Sequence, residues 1–207
     1  MWAGVSGTGG NAHEMRIGLV MPPLYTPGPP PARRTRHDWV VPTIVPALPL
    51  TAEAFAAFGS VVDVGGPDAP LELHRGAPRF WVMELRNRPG TFTRLTRHRA
   101  VTQCLAAAGG GTWYLAVAPP DGTAGGPDEV DATPDLERVT AFAVPGDVIL
   151  RLHRGTWHAG PFFSTPTMRF FNLELTDTND VDHHSVDLPD AHVVGGVGEG
   201  SAATPLG

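Results

Sequence analysis

The chain has a single cysteine, Cys104, in 207 residues. One thiol excludes an intrachain disulfide framework and a cysteine-rich metal site, and it fits a reducing compartment. No apolar run approaches the roughly 20 residues that a membrane-spanning helix needs. The stretch from Ile17 to Leu24 is short and ends near prolines, so it makes a poor secretory leader. Cytoplasmic residence is the expectation, with no membrane partner. The charge balance, 15 basic against 21 acidic residues for a net −6, contains no basic block long enough to follow a nucleic-acid backbone. Nucleic acid is therefore not an expected partner.

What the chain does have is turn formers, with 25 Gly and 22 Pro. They divide between the two ends and many internal turns. Residues 1–45 include Gly28-Pro29-Pro30-Pro31 and the basic group Arg33-Arg34-Thr35-Arg36, and read as a disordered Gly/Pro-rich arm in which Met15 and Met21 are alternative starts. A flexible tail is expected over 189–207, where Val193-Val194-Gly195-Gly196 reads as a linker. One folded domain is left, over 46–188.

That domain opens with Leu50-Thr51-Ala52-Glu53-Ala54-Phe55-Ala56-Ala57-Phe58-Gly59. Thr51 is a good N-cap, Leu50 and Phe55 suit a hydrophobic staple, and Gly59 suits a helix stop, so a short helix is predicted over 51–58. Strand-like runs follow at 60–64, 79–85, 92–98, 112–118, 139–144, 148–153 and 168–175, with Gly and Pro between them. Many short strands after one short helix predict an all-β sandwich or barrel. The Gly-rich acidic segment 119–134 reads as a rim loop.

One of these strands carries an unusual polar cluster. It follows the turn Pro145-Gly146-Asp147 and runs into Arg154-Gly155-Thr156-Trp157-His158. Period 2 puts Val148, Leu150 and Leu152 on one face and Ile149, Arg151 and His153 on the other. An Arg and a His sharing a strand face, next to Trp157 and His158, can hold an anion and exchange protons. On this reading the Arg151–His153 face lines a binding cavity.

The order of motifs resembles the ureidoglycolate lyase family, cupin-fold enzymes of purine-ureide breakdown. The run from Leu50 through Gly59-Ser60-Val61-Val62 is similar to the family's opening helix and first strand. Arg97-His98 followed by Thr102-Gln103 is similar to its central motif. His153-Arg154-Gly155-Thr156-Trp157-His158 is similar to its His-Arg-Gly-x-Trp-His signature. The likeness covers roughly 48–188. It implies a cupin-like double-stranded β-helix, or jelly-roll barrel, and a homodimer. Departures from the family pattern include Arg151, Leu152, Arg94, Cys104 and Ala159.

The resemblance implies cleavage of ureidoglycolate to glyoxylate and urea, an acid–base reaction that requires no cofactor. The candidate catalytic residues are His98, His153 and Gln103. Arg151 is the candidate carboxylate anchor, and Trp157, His158 and Glu174 are further candidates for substrate binding. Asn172 shares the face of Glu174, and Arg79 lies near. A divalent metal stays open, but no standard chelating motif supports one: His153 and His158 are separated by a turn, and the first motif lacks a His-x-His. The residues leave two other readings open. One is a diverged cupin acting on another small hydroxy or keto acid. The other is a non-catalytic acid-binding protein.

Overall fold

The computed structural model describes residues 41–122 and 126–197; the expected arm, apart from its last residues, and the end of the expected tail lie outside them. Twelve strands run in chain order: β1 (Thr43–Val45), β2 (Ala47–Pro49), β3 (Gly59–Val62), β4 (Pro78–Arg86), β5 (Thr91–Arg97), β6 (Gln103–Ala107), β7 (Gly110–Ala118), β8 (Thr140–Gly146), β9 (Ile149–Leu152), β10 (Trp157–Phe162), β11 (Thr167–Leu175) and β12 (His184–Val194). Two short helices, α1 (Ala52–Phe55) and α2 (Thr178–Val181), interrupt them. One sheet has the order β1-β12-β5-β10-β7-β8-β2, and the other β3-β9-β6-β11-β4. This is the all-β architecture that the strand pattern predicts and the cupin-like fold that the family resemblance implies.

Alternation along the strands builds the core between the sheets. On β7, Trp113, Leu115 and Val117 face Leu105, Leu150, Leu152 and Phe170 of the opposite sheet. Ala116 and Ala118 belong to a second cluster with Val45, Trp157, Leu188 and Val194. The second half of β7 is thus buried on both faces. Phe55 and Phe58 join the first cluster, with Phe55 set edge-on to Phe142 at 5.4 Å.

Several sequence expectations meet the structure here. Thr51 caps α1 by accepting the Ala54 N–H at 3.1 Å, and Leu50 packs against the cluster that holds Phe55. The helix is shorter than predicted. Gly59 is not its left-handed stop: it starts β3, where an added Cβ would lie 2.0 Å from the Arg151 carbonyl oxygen. Glycine is needed because two backbones approach closely. At the other end, β12 carries the sheet on to Val194 and pairs in parallel with β1. Both strands extend past the boundaries expected at 46 and 188, because Val45, Leu188 and Val194 bury their side chains in the second cluster.

Candidate active site

The site lies on the inner faces of both sheets, where polar residues replace the core pattern. On the smaller sheet, Asn172 of β11 is paired with Leu105 of β6 and Trp81 of β4, and Glu174 is paired with Arg79. Gln103 lies opposite Leu152 on the same inner face. On the larger sheet, His158 of β10 is paired with Thr96 of β5 and Val117 of β7. Alternation along β10 turns Trp157 outward into the second cluster and His158 inward. These residues enclose a cavity of about 300 Å³, whose lining also includes His98, Arg88 and His183. A second cavity of about 500 Å³ shares Arg88, His158, Gly160 and His183 with it. Gly160, at φ 125°, holds a conformation that glycine accepts and precedes a cis peptide bond to Pro161.

The two inner histidines are fixed in the same way. The His158 Nδ1–H donates to the Thr156 carbonyl at 3.2 Å. The His98 Nδ1–H donates to the Asp182 carbonyl at 3.1 Å and also meets the Thr178 hydroxyl at 3.1 Å. A carbonyl can only accept, so each ring carries its proton on Nδ1 and leaves Nε2 as a lone-pair nitrogen. The rings stand 5.4 Å apart, and His183 is 5.8 Å from His98. Burial pushes the His98 pKa down to about 4, helped by the neighbouring His183. Burial and the charge of His98 push His158 down to about 3. Both are neutral at pH 7.

Backbone contacts brace this geometry. Asp182 follows α2, and its Oδ1 accepts the Arg99 and Ala100 backbone N–H groups at 2.8 and 2.9 Å. That locks the segment bearing the carbonyl partner of His98. Glu174 accepts from Arg79 Nη2 at 2.6 Å and from Trp81 Nε1 at 3.1 Å. Arg88 differs from every acid-paired arginine: it donates only to the Pro161 and Gly160 carbonyls, at 3.3 and 3.4 Å. Among the described residues no carboxylate pairs with it. Its charge is therefore free to meet an anion in the cavity.

Three predicted site residues lie elsewhere. Leu150 and Leu152 point into the core, so Arg151 and His153 face outward. The choice between the two faces of β9 is decided by burial, since each aliphatic side chain removed from water contributes about 1.5–3 kcal/mol. Arg151 donates to Glu72 at 3.1 Å and to His153 Nδ1 at 3.2 Å. An arginine only donates, so His153 accepts at Nδ1, and its Nε2–H donates to the Ala56 carbonyl at 3.2 Å. Arg151 and His153 are thus tied to each other on the outer face and do not converge with His98. Trp157 is fully buried under the Arg97 guanidinium, 4.6 Å from its ring centre, and packs behind the wall. His98, Gln103, His158 and Glu174 do come together at the cavity. Arg88 and His183 join them at the cavity, and Asp182 holds His98 through its carbonyl, all from loops and turns without any periodic signal in the sequence.

A family model described as ureidoglycolate lyase matches residues 72–193. The chain belongs to the ureidoglycolate lyase family. It is 29% identical over 129 residues to the ureidoglycolate lyase of Pseudomonas syringae pv. syringae (strain B728a), covering 53% of this chain and 70% of the relative. The identity and coverage are the same for the ureidoglycolate lyase of Pseudomonas savastanoi pv. phaseolicola (strain 1448A / Race 6). The span matched by the ureidoglycolate lyase model includes His98, Gln103, His158, Asn172 and Glu174. Cupin-type metal centres gather several His and carboxylate ligands. Among the described residues no group of three or more His, Cys, Asp or Glu side chains is arranged to hold a metal ion.

Proposed function

We propose that this protein is a ureidoglycolate lyase that splits ureidoglycolate into glyoxylate and urea in the breakdown of purine-derived ureides. The observation that carries this reading is a pair of buried, neutral histidines on one small cavity, each held as its Nδ1–H tautomer by a backbone carbonyl. Family membership supplies the substrate class. The substrate is a carbinolamide bearing a carboxylate. One Nε2 takes the hydroxyl proton, the oxygen lone pair forms the aldehyde C=O, and the C–N bond breaks toward nitrogen. The departing urea nitrogen then receives a proton. A histidine with a depressed pKa becomes a strong acid once protonated, which favours delivery to that nitrogen. His158 and His98 fill these roles, and Arg88 takes the substrate carboxylate in place of Arg151. The reaction exchanges protons only and needs no redox partner. Arg151 and Leu152, two of the departures from the family pattern, do not line this cavity. Incubating the metal-stripped protein with racemic ureidoglycolate tests the reading. Equimolar glyoxylate and urea are expected, and absence of both products would remove it.

The same reading includes a homodimer working in the cytoplasm. Its support is an apolar stripe on the outer face of the smaller sheet, where Ile149, Ala106, Phe171 and Val82 lie side by side on β9, β6, β11 and β4. Phe80, 68% exposed, stacks on Phe171 at 5.9 Å. A second copy of the chain would cover this stripe. A sedimentation mass of one chain at micromolar concentration would count against it.

A further inference from the structure

We infer that Gln103 and Asn172 form a paired-amide seat for the ureido end of the substrate, which fixes the direction in which the substrate lies. The inference rests on the ureidoglycolate reading and names a subsite within it. Gln103 on β6 and Asn172 on β11 are diagonal neighbours on the inner face, within reach of long side chains. Gln103 Nε2–H donates to Asn172 Oδ1 at 3.3 Å. Both residues are more than nine-tenths buried, and both line the cavity. Gln103 Oε1 is buried without a hydrogen-bond partner. Buried amide oxygens are nearly always paired, so an orphan of this kind in a cavity marks a place for a ligand donor.

The pair presents one acceptor, Gln103 Oε1, and one donor, the Asn172 amide nitrogen. Exchanging O and N in both side chains reverses their roles but still leaves one acceptor and one donor free. That pattern complements one edge of a ureido group, which offers N–H beside C=O. A carboxylate offers only acceptors and matches half of it. The apolar side chains of Leu105 and Met83 border the same cavity and limit competition from water. The ureido end therefore sits on Gln103 and Asn172 and the carboxylate turns toward Arg88. The carbinol carbon then falls between them, on the side of the histidines.

Urea itself is the probe that tests the seat without turnover. Titrated at sub-denaturing concentration into the isotope-labelled full chain, it is expected to shift the Gln103 and Asn172 side-chain amide resonances saturably. Tetramethylurea, which has no N–H, is expected to leave them in place. Absence of a saturable urea shift overturns the seat. Kinetics supply the second arm, with N-acetyl-α-hydroxyglycine replacing the terminal NH₂ by methyl. The wild type is expected to favour ureidoglycolate by at least about tenfold in kcat/KM. Gln103→Met should raise KM for ureidoglycolate and bring that preference close to one. A wild type that splits ureidoglycolate while Gln103→Met, confirmed folded by its thermal transition, keeps the preference would overturn the seat and leave the lyase reading standing. A wild type that binds urea at these amides but releases no products would do the reverse.

Discussion

Two histidine clusters lie on opposite faces of the smaller sheet and its neighbours, and they differ in what their nitrogens are doing. In the outer one, His153 accepts from Arg151 and donates to the Ala56 carbonyl, while Glu72 neutralises the arginine. Both ring nitrogens of His153 are already used. In the inner one, His98 and His158 spend only Nδ1 on the protein. In the inner cluster burial strips protons from the rings. Residue type alone does not make a proton-transfer site; an uncommitted nitrogen in a cavity does.

The contrast is broken most directly by deleting one histidine from each cluster. His158→Ala should lower kcat by about 10²–10⁴-fold, the usual contribution of a general acid or base. His153→Ala should cost less than about threefold by the same argument, since it touches no substrate. The pair of rates measured on ureidoglycolate checks both, and equal losses would erase the distinction. The arginines come next. Arg88→Ala should raise KM by about tenfold or more through loss of the carboxylate contact. Arg151→Ala should leave KM unchanged and lower stability slightly, as expected for breaking a partly exposed ion pair.

The smallest effect is in the pH dependence of stability. The folded pKa values of His98 and His158, about 4 and about 3, lie below the ordinary value of 6.5. Below about pH 6.5 the unfolded chain takes up protons that the folded protein refuses. Stability from these groups is therefore present above pH 6.5 and is lost as pH falls toward 3. Thermal unfolding from pH 7 to pH 4.5 should show the midpoint falling, with a shallower fall in His158→Gln. Identical slopes in the two proteins would mean that burial does not hold His158 neutral.

Much of the fold was legible from alternation and turn residues. The runs around β4, β5, β7, β8, β9 and β11 read correctly because each has period 2 between Gly or Pro signals. The short strand β6 was hidden inside a polar motif at Gln103, and β10 was hidden behind Trp157 and His158, where Gly160-Pro161 looks like a break. The face of β9 was misread for a physical reason. A strand with leucines on one side and Arg and His on the other fits a polar cavity or an apolar core equally well until its neighbours are known. Here Leu105, Phe142 and Phe170 supply the apolar partners, and Leu150 and Leu152 turn toward them. His98, Gln103, His158 and Glu174 could be found through motif likeness, and Asn172 through its shared face with Glu174. Arg88 and Asp182 act through loop and turn geometry that no local pattern encodes.

The carbonyl partner of His98 belongs to Asp182, and the strand that follows pairs with β5 so that His184 lies opposite Arg97. The ring is therefore aimed by a segment translated more than eighty residues after it. During synthesis the central histidine leaves the ribosome long before the peptide that will orient it. A nascent chain halted before Asp182 contains β6 and β9 but lacks the carbonyl that holds the His98 Nδ1–H. The full set of His98 contacts thus waits for the segment that carries Asp182. An unfinished polypeptide is kept chemically silent by the order in which its parts are made.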